Sequence, residues 1–205
     1  MKQILFRILL HIIRRIYPAI SIVENEFKYK QIKQASSLFK KCGINFNIDY
    51  PYLINGEKFI TIGDNFRARN NLRIEAISYY IDQKFNPSII IGNNVTCESN
   101  CHISCINKIE IGNNTLIASN VLITDHFHGD SNIRYNSIAP LKRPLKSKGD
   151  IKIGNNVWIG DGVCIMPNIT IGNNVIIGAN SVVTTSFDDN LVIGGVPAKI
   201  IKHLS

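Results

Sequence analysis

Residues 153–183 read Ile153-Gly154-Asn155-Asn156-Val157-Trp158-Ile159-Gly160-Asp161-Gly162-Val163-Cys164-Ile165-Met166-Pro167-Asn168-Ile169-Thr170-Ile171-Gly172-Asn173-Asn174-Val175-Ile176-Ile177-Gly178-Ala179-Asn180-Ser181-Val182-Val183. An aliphatic residue stands at every sixth place from Ile153 to Val183, and Asn follows three places later at 156, 168, 174 and 180. Neither the 3.6-residue period of a helix nor the two-residue period of a flat strand produces this spacing. Short β segments joined by tight corners and wound into a coil do.

The same register runs outward toward the N-terminus in groups of three: Ile62, Ala68, Ile74; Ile91, Cys97, Ile103; and Ile111, Ile117, Ile123. With Ile153, Ile159, Ile165 and Ile171, Ile177, Val183 this makes fifteen positions, thirteen of them Ile or Val. Ten of the fifteen carry Asn three places on, and seven are followed at once by Gly. Gly and Asn adopt positive φ at low cost, so a corner is expected every six residues. One place past the corner, Phe66, Leu72, Val95, Val121, Phe127, Val157, Val163, Ile169 and Val175 supply a second inward apolar residue. Three such sides close one triangular turn. The expectation is an all-β solenoid of about five stacked coils over residues 56–190, each coil in contact only with its neighbours. Residues 1–55 then form an N-terminal helix and connection, and 191–205 an exit segment.

This repeat accounts for a lopsided composition. The 205 residues include 38 Ile and 24 Asn against a single Trp. With 45% hydrophobic and 19% charged residues the chain is too apolar for disorder. The net charge of +8 is uneven: residues 1–50 carry +6, 51–150 carry +2 and 151–205 carry none. A basic face spread over the whole protein is therefore lacking, which argues against nucleic acid as a partner. Five cysteines without a CxxC pair suggest neither a zinc knuckle nor a disulfide framework, and a reducing cytoplasm is the compartment expected.

The first 17 residues carry Arg7, His11, Arg14 and Arg15 within their apolar stretch, so they read as neither a secretory signal nor a spanning helix. At helical spacing Gln3, Arg7, His11 and Arg14 make one polar stripe. Ile4, Leu5, Ile8, Leu9, Ile12, Ile13 and Ile16 make a wide apolar face, and Pro18 is expected to end or kink the helix. Such a helix fits peripheral contact with an anionic membrane at its inner face, and equally packing on the protein itself or a sister subunit.

Three interruptions break the repeat: extra residues at Tyr79–Ser88, a two-residue slip near Lys108, and an excursion loop over 129–150. Long loops on a regular scaffold carry function. At the mouth of the excursion, His126 occupies a corner where the pattern elsewhere supplies Asn, in the run Thr124-Asp125-His126-Phe127-His128-Gly129. The register aims His126 and His128 outward and Phe127 inward. A His that breaks the repeat beside a long loop points to function at His126, and imidazole, with an unperturbed pKa of about 6.5, takes up and releases a proton near neutrality. Asp125 either orients the ring or is a plain corner residue.

The segment from Ile111 to Gly129, followed by Asn155-Asn156-Val157-Trp158-Ile159-Gly160 and closing with Gly194-Gly195-Val196-Pro197-Ala198-Lys199, resembles the hexapeptide-repeat O-acetyltransferases, galactoside, maltose and virginiamycin enzymes among them. Within that superfamily it is most similar to the bacterial surface-polysaccharide acetyltransferases of the O-antigen and colanic-acid type. The resemblance implies a left-handed parallel β-helix, a homotrimer with active sites between subunits, acetyl-CoA as co-substrate without a metal, and a sugar or polysaccharide hydroxyl as acceptor. It implies His126 as the base, with Asp125, His128 and Trp158 in support and a backbone N–H near Gly160-Asp161 for the oxyanion. Trp158, Gly160, Asp161, Gly178, Ala179 and Thr184 are carried over to the CoA groove. Thr185 stands where relatives have Lys, so Lys199 or Lys202 is the replacement for the 3′-phosphate contact. Glu98, Asn100 and His128 fall where relatives bind the acceptor. The basic excursion residues Lys142, Arg143, Lys146 and Lys148 suit CoA phosphates or an anionic glycan, or are simply solvated.

Two other classes compete. A zinc lyase of the γ-carbonic-anhydrase kind would use His102, His126 and His128, but the His-x-His spacing and the Trp158 and Gly-Val-Pro motifs fit it poorly. An inert solenoid would have no use for the excursion or for a His at its mouth.

Overall fold

A computed structural model describes residues 2–129, 135 and 137–204, without the side chains of residues 2–5 and 8. Positions 130–134 and 136 of the expected excursion, and the side chains of Gln3, Ile4, Leu5 and Ile8 in the expected helical faces, lie outside this set. The chain divides into two units, 1–37 and 38–205.

The first unit is one α-helix, Lys2–Leu38. It runs through Pro18, which was expected to end or kink it. A proline removes a single backbone donor and crowds one carbonyl. The residues after it, richer in Glu, Lys, Gln and Ala from Glu24 to Ala35, carry the ladder onward. Phe6, Leu9, Ile12, Ile13 and Ile16 are exposed on this helix, as are Arg7, His11 and Arg14.

The second unit is a left-handed parallel β-helix with three sheets. One holds six strands, from Lys41–Cys42 to Ile169–Ile171, and a second holds six, from Tyr52–Asn55 to Val182–Val183. The third holds eight, from Asn47–Ile48 to Ala198–His203. Register is strict: Ile62, Ile91, Ile111, Ile153 and Ile171 stack in one column. Ala68, Cys97, Ile117, Ile159, Ile177 and Ile193 stack in the next. Ile74, Ile103, Ile123, Ile165 and Val183 fill the third. Every one of these side chains is at most 2% exposed. A fully buried aliphatic side chain is worth about 1.5–3 kcal/mol, so these columns are the core.

The coil starts before the expected boundary at 56. Lys41–Cys42, Asn47–Ile48 and Tyr52–Asn55 pair in parallel with the strands that follow them, adding a sixth coil whose inward residues are Cys42, Ile48 and Ile54. At the other end Leu191–Gly195 still stacks on Ile176–Ile177, and Ala198–His203 turns back antiparallel along it.

All ten corner asparagines have φ between 55° and 67°. Their side chains form a ladder in which Asn65 Nδ2 donates to Asn94, Asn94 to Asn114, Asn114 to Asn156, and Asn156 to Asn174, at 2.8–3.1 Å. The glycines that follow the aliphatic residues are needed for a different reason from the one expected. Gly63, Gly92, Gly112, Gly154, Gly160, Gly172 and Gly178 all lack positive φ. At Gly154 an added Cβ would stand 2.6 Å from the carbonyl of Gly172 in the next coil, so that position is held by close backbone approach.

Candidate active site

The two-residue slip and the histidine corner are one structure. Extra residues at Ile106 and Asn107 leave backbone N–H groups that the neighbouring coil does not accept. The Asp125 carboxylate accepts both, from Ile106 N at 2.9 Å and Asn107 N at 2.8 Å, and takes the Cys105 thiol at 3.3 Å. Asp125 is 0% exposed. Its Oδ1 also lies 3.0 Å from His126 Nδ1. With Nδ1–H donating to that carboxylate, Nε2 is the ring's acceptor atom, and it has no protein partner among the described residues. Burial, then the Asp125 charge, pushes the Cys105 thiol far up, so it acts as a neutral donor.

His126–His128 leaves the coil as a strand paired antiparallel with Leu145–Ser147 on the returning side of the excursion. This departure rotates the side chains away from the repeat's register. His126 lines the cleft outside the coil but is only 9% exposed, and Phe127 is not in the core. Phe127 lies instead under the Lys148 ammonium, 5.7 Å from the ring centroid. His128 is exposed as expected, with Nδ1 3.2 Å from the Tyr80 hydroxyl.

The extra residues at Tyr79–Ser88 meet the excursion. Tyr79–Tyr80 and Gln83–Lys84 form a hairpin. From it the Tyr80 hydroxyl donates to Leu141 O at 2.5 Å, and Gln83 exchanges two hydrogen bonds with the Leu145 backbone, at 2.7 and 3.2 Å. The Tyr79–Ser88 insertion and the excursion therefore border one cleft of about 560 Å³, with His126 and His128 in its wall.

The same cleft holds Arg73, Glu75 and His102, none of which entered the sequence reading as acceptor contacts. Glu75 Oε2 accepts from Arg73 Nε at 2.6 Å and lies 3.0 Å from His102 Nε2. Burial raises the Glu75 carboxyl, but the hydrogen bonds from Arg73 and His102 outweigh it and leave the group below its ordinary value. Burial also lowers His102, against the opposing pull of Glu75. The signal was in the stacking. The residue before each inward Ile forms a column Arg73, His102, Leu122, and the residue after it a column Glu75, Ser104, Thr124.

The residues carried over to the CoA groove lie elsewhere. Trp158, 51% exposed, stacks between Leu116 and Ile176 on the eight-stranded sheet. Beside it Ala118, Gly160, Gly178 and Gly194 follow one another down the coils, their backbones linked by hydrogen bonds of 2.8–2.9 Å. A Cβ at Gly160 would stand 2.7 Å from Ala179 N, so this position is held by close approach of the next coil's backbone. Gly160 N–H is already given to Ile177 O at 2.9 Å. The Ser119 N–H above uses the Asp161 carboxylate at 3.1 Å, and Ala179 below Asp161 has no side-chain acceptor to offer in turn. Of the Gly160-Asp161 pair, the Asp161 amide makes no hydrogen bond among the described residues. Thr184 and Lys199 are exposed, the latter opposite Gly194 at the end of the strip. Glu98 pairs with Arg69 at 3.6 Å, and Asn100 is a corner residue with φ 63° bonded to Asn120. None of Trp158, Gly160, Asp161, Gly178 and Ala179 borders the His126 cleft of the same chain.

His102, His126 and His128 are engaged by Glu75, Asp125 and Tyr80 respectively. Among the described residues no group of three His, Cys, Asp or Glu side chains is placed to hold a metal ion.

A left-handed hexapeptide coil, interrupted at one corner by a carboxylate-held histidine over an open cleft, defines an acyltransferase of the hexapeptide-repeat class. A family described as bacterial transferase hexapeptide (six repeats) matches residues 150–185. WbbJ of Escherichia coli (strain K12), named for O-acetyl transfer in lipopolysaccharide biosynthesis, is 39% identical over 168 residues, 80% of this chain and 80% of its own length. The galactoside O-acetyltransferase of the same organism is 34% identical over 154 residues, 73% of this chain and 66% of its own. Among solved structures, AntD, an N-acyltransferase from Bacillus cereus, superposes with a TM-score of 0.70 at 23% identity, over 85% of this chain and 88% of that one. The chain belongs to the hexapeptide-repeat O-acetyltransferases.

Proposed function

We propose that the protein transfers an acetyl group from acetyl-CoA to a hydroxyl of a sugar or surface polysaccharide, directly, in a ternary complex. The observation that carries the mechanism is the Asp125–His126 pair. One ring nitrogen is held by a fully buried carboxylate at 3.0 Å, and the ring stands in the wall of a cleft large enough for a sugar. The acceptor hydroxyl gives its proton to His126 Nε2 as its oxygen attacks the thioester carbonyl. The tetrahedral oxyanion takes a hydrogen bond from a backbone N–H, for which Asp161 is the candidate. The C–S bond then breaks, the ester forms, and the imidazolium returns its proton to the CoA thiolate.

The pantetheine arm runs along Ala118, Gly160, Gly178 and Gly194 beside Trp158, with Ala179 and Thr184 in the groove and Lys199 or Lys202 at the 3′-phosphate. That strip and the His126 cleft are on different parts of one chain, so the complete site requires an adjacent copy. A homotrimer with sites between subunits is the assembly this reading requires. The sugar acceptor is supported by the names of the two Escherichia coli relatives. The helix, basic and free of acidic residues before Glu24, is proposed to lie on an anionic membrane surface through residues 1–17, where it would bring the enzyme to a lipid-linked acceptor.

The test is acetyl transfer to a panel of glycans, followed by mass spectrometry and by release of the CoA thiol. His126→Ala should abolish transfer while the protein melts within a few degrees of the unaltered chain, and His128→Ala should retain most of it. Equal activity of His126→Ala, or loss only in His128→Ala, would reassign the base.

A further inference from the structure

We infer that Arg73, Glu75 and His102 form an acceptor subsite, one sugar ring away from the reacting hydroxyl, that binds a pair of adjacent hydroxyls on a neutral saccharide. The inference rests on the proposed transfer from acetyl-CoA and adds a recognition element to it.

Three observations carry it. First, the cluster has unused hydrogen-bonding capacity inside the cleft. Glu75 spends Oε2 on both Arg73 Nε and His102 Nε2, and Oε1 has no partner among the described residues. Arg73 gives Nε to that carboxylate, and its terminal nitrogens make no further bond to described residues. The carboxylate and the guanidinium, side by side at 2.6 Å, thus offer an acceptor next to a donor. Adjacent pyranose hydroxyls match that arrangement, one donating to Oε1 and the other accepting from Arg73.

Second, the spacing fits a sugar. Glu75, Ser104 and Thr124 are consecutive members of one stacked column, and Thr124 Oγ1 lies 3.5 Å from His126 Nδ1. Neighbouring strands stand about 4.8 Å apart, which puts Glu75 roughly 10 Å along the column from Thr124. A hexose ring with its substituents spans that interval between the cluster and Thr124, which stands beside His126 in the cleft wall.

Third, the charges select for a neutral group. Arg73 and Glu75 cancel, and burial shifts His102 toward its neutral form against the pull of Glu75. Its Nε2–H donates to Glu75, leaving Nδ1 as an acceptor. The cleft therefore contains two histidine–carboxylate pairs held in opposite senses. His126 is bound through Nδ1 and presents Nε2, whereas His102 is bound through Nε2, which suits it to holding a ligand.

The experiment measures transfer from acetyl-CoA to a panel of methyl hexopyranosides, their monodeoxy analogues and anionic uronic-acid glycosides, with unaltered enzyme, Glu75→Gln, Arg73→Met and the conservative Glu75→Asp. A hydrogen bond to a charged group is worth enough to change affinity by about tenfold or more. Glu75→Gln and Arg73→Met should each raise the acceptor KM at least tenfold, with the acetyl-CoA KM changed less than twofold and the loss falling on KM more than on kcat. Glu75→Asp should recover part of it. One deoxy analogue should lose the same factor with the unaltered enzyme and nothing further with Glu75→Gln. An unchanged acceptor KM in a folded Arg73→Met or Glu75→Gln protein, or a deoxy penalty that persists undiminished in Glu75→Gln, would overturn the subsite while leaving the transfer reaction standing. Absence of transfer by the unaltered enzyme to every glycoside, charged glycans included, would overturn the reaction itself. Transfer confined to anionic acceptors would overturn the neutral-diol reading alone.

Discussion

Asp125→Asn removes one charge and exchanges one oxygen for an NH2 group at a point that touches both the scaffold and the base. In the native chain one carboxylate oxygen accepts from Ile106 N and lies 3.0 Å from His126 Nδ1, while the other accepts from Asn107 N and the Cys105 thiol. A carboxamide has one oxygen, so one side must face a donor with a donor. Leaving a buried N–H unsatisfied costs about 1–3 kcal/mol, and the surviving bonds drop from charge-assisted to neutral strength, about 1 kcal/mol less each. The expected destabilisation is about 2–5 kcal/mol. At about 2–4 °C per kcal/mol for a unit of this size, that is a fall in Tm of about 4–20 °C. The effect on activity is separate. If the amide turns its NH2 toward the ring, Nδ1 must accept, the proton moves to Nε2, and the base is lost. If it turns its oxygen toward the ring, the imidazolium formed during transfer loses its counter-charge. Either way kcat/KM should fall by about 10²–10⁴. Thermal melting and CoA-thiol release, measured below the variant's Tm, give the two quantities independently. Activity within threefold of the unaltered enzyme in a folded Asp125→Asn protein would refute the claim that this carboxylate governs the base.

Gly154→Ala puts a Cβ 2.6 Å from the Gly172 carbonyl and should cost about 1–3 kcal/mol, whereas Gly178→Ala, whose nearest neighbour would be at 3.5 Å, should melt close to the unaltered protein. Acidification should destabilise the coil in two stages. Burial holds His102 below 6.5, so under that pH the unfolded chain binds a proton that the folded chain refuses, and stability falls down to the folded pKa. Glu75, held below 4.5 by Arg73 and His102, adds stability that is lost as pH falls further through its folded value. Melting His102→Gln across pH 4–7 should show the first stage gone, and an unchanged profile would contradict the assignment.

The inside of the coil was legible because a solenoid repeats its core: the period locates Ile62 through Val183 without reference to any distant contact. The corner asparagines were legible for the same reason, though the reason for the glycines was not, since close approach of two backbones is a relation between coils. Cys42, Ile48 and Ile54 kept the six-residue spacing, but Cys at the first place and two extra residues before Ile62 hid the earliest coil. His126 stood out as a broken Asn position. Its surroundings did not, because the period fixes side-chain direction only while the chain stays on the coil. Once the chain departs at His126, Phe127 turns out and Asp125 turns in toward amides 18 and 19 residues earlier. Arg73, Glu75 and His102 required reading down the stacked columns as well as along the chain.

The antiparallel return of Ala198–His203 along Leu191–Gly195 has a consequence for solubility. A parallel solenoid ends in strands whose unpaired backbone groups match the start of another solenoid of the same pitch, an invitation to filaments. Reversing the last strand presents the wrong hydrogen-bond pattern to an incoming parallel coil, and Lys199 and Lys202 add repulsion between copies along that edge. The segment that closes the eight-stranded sheet thus opposes parallel addition along that edge, one of the three that end the coil.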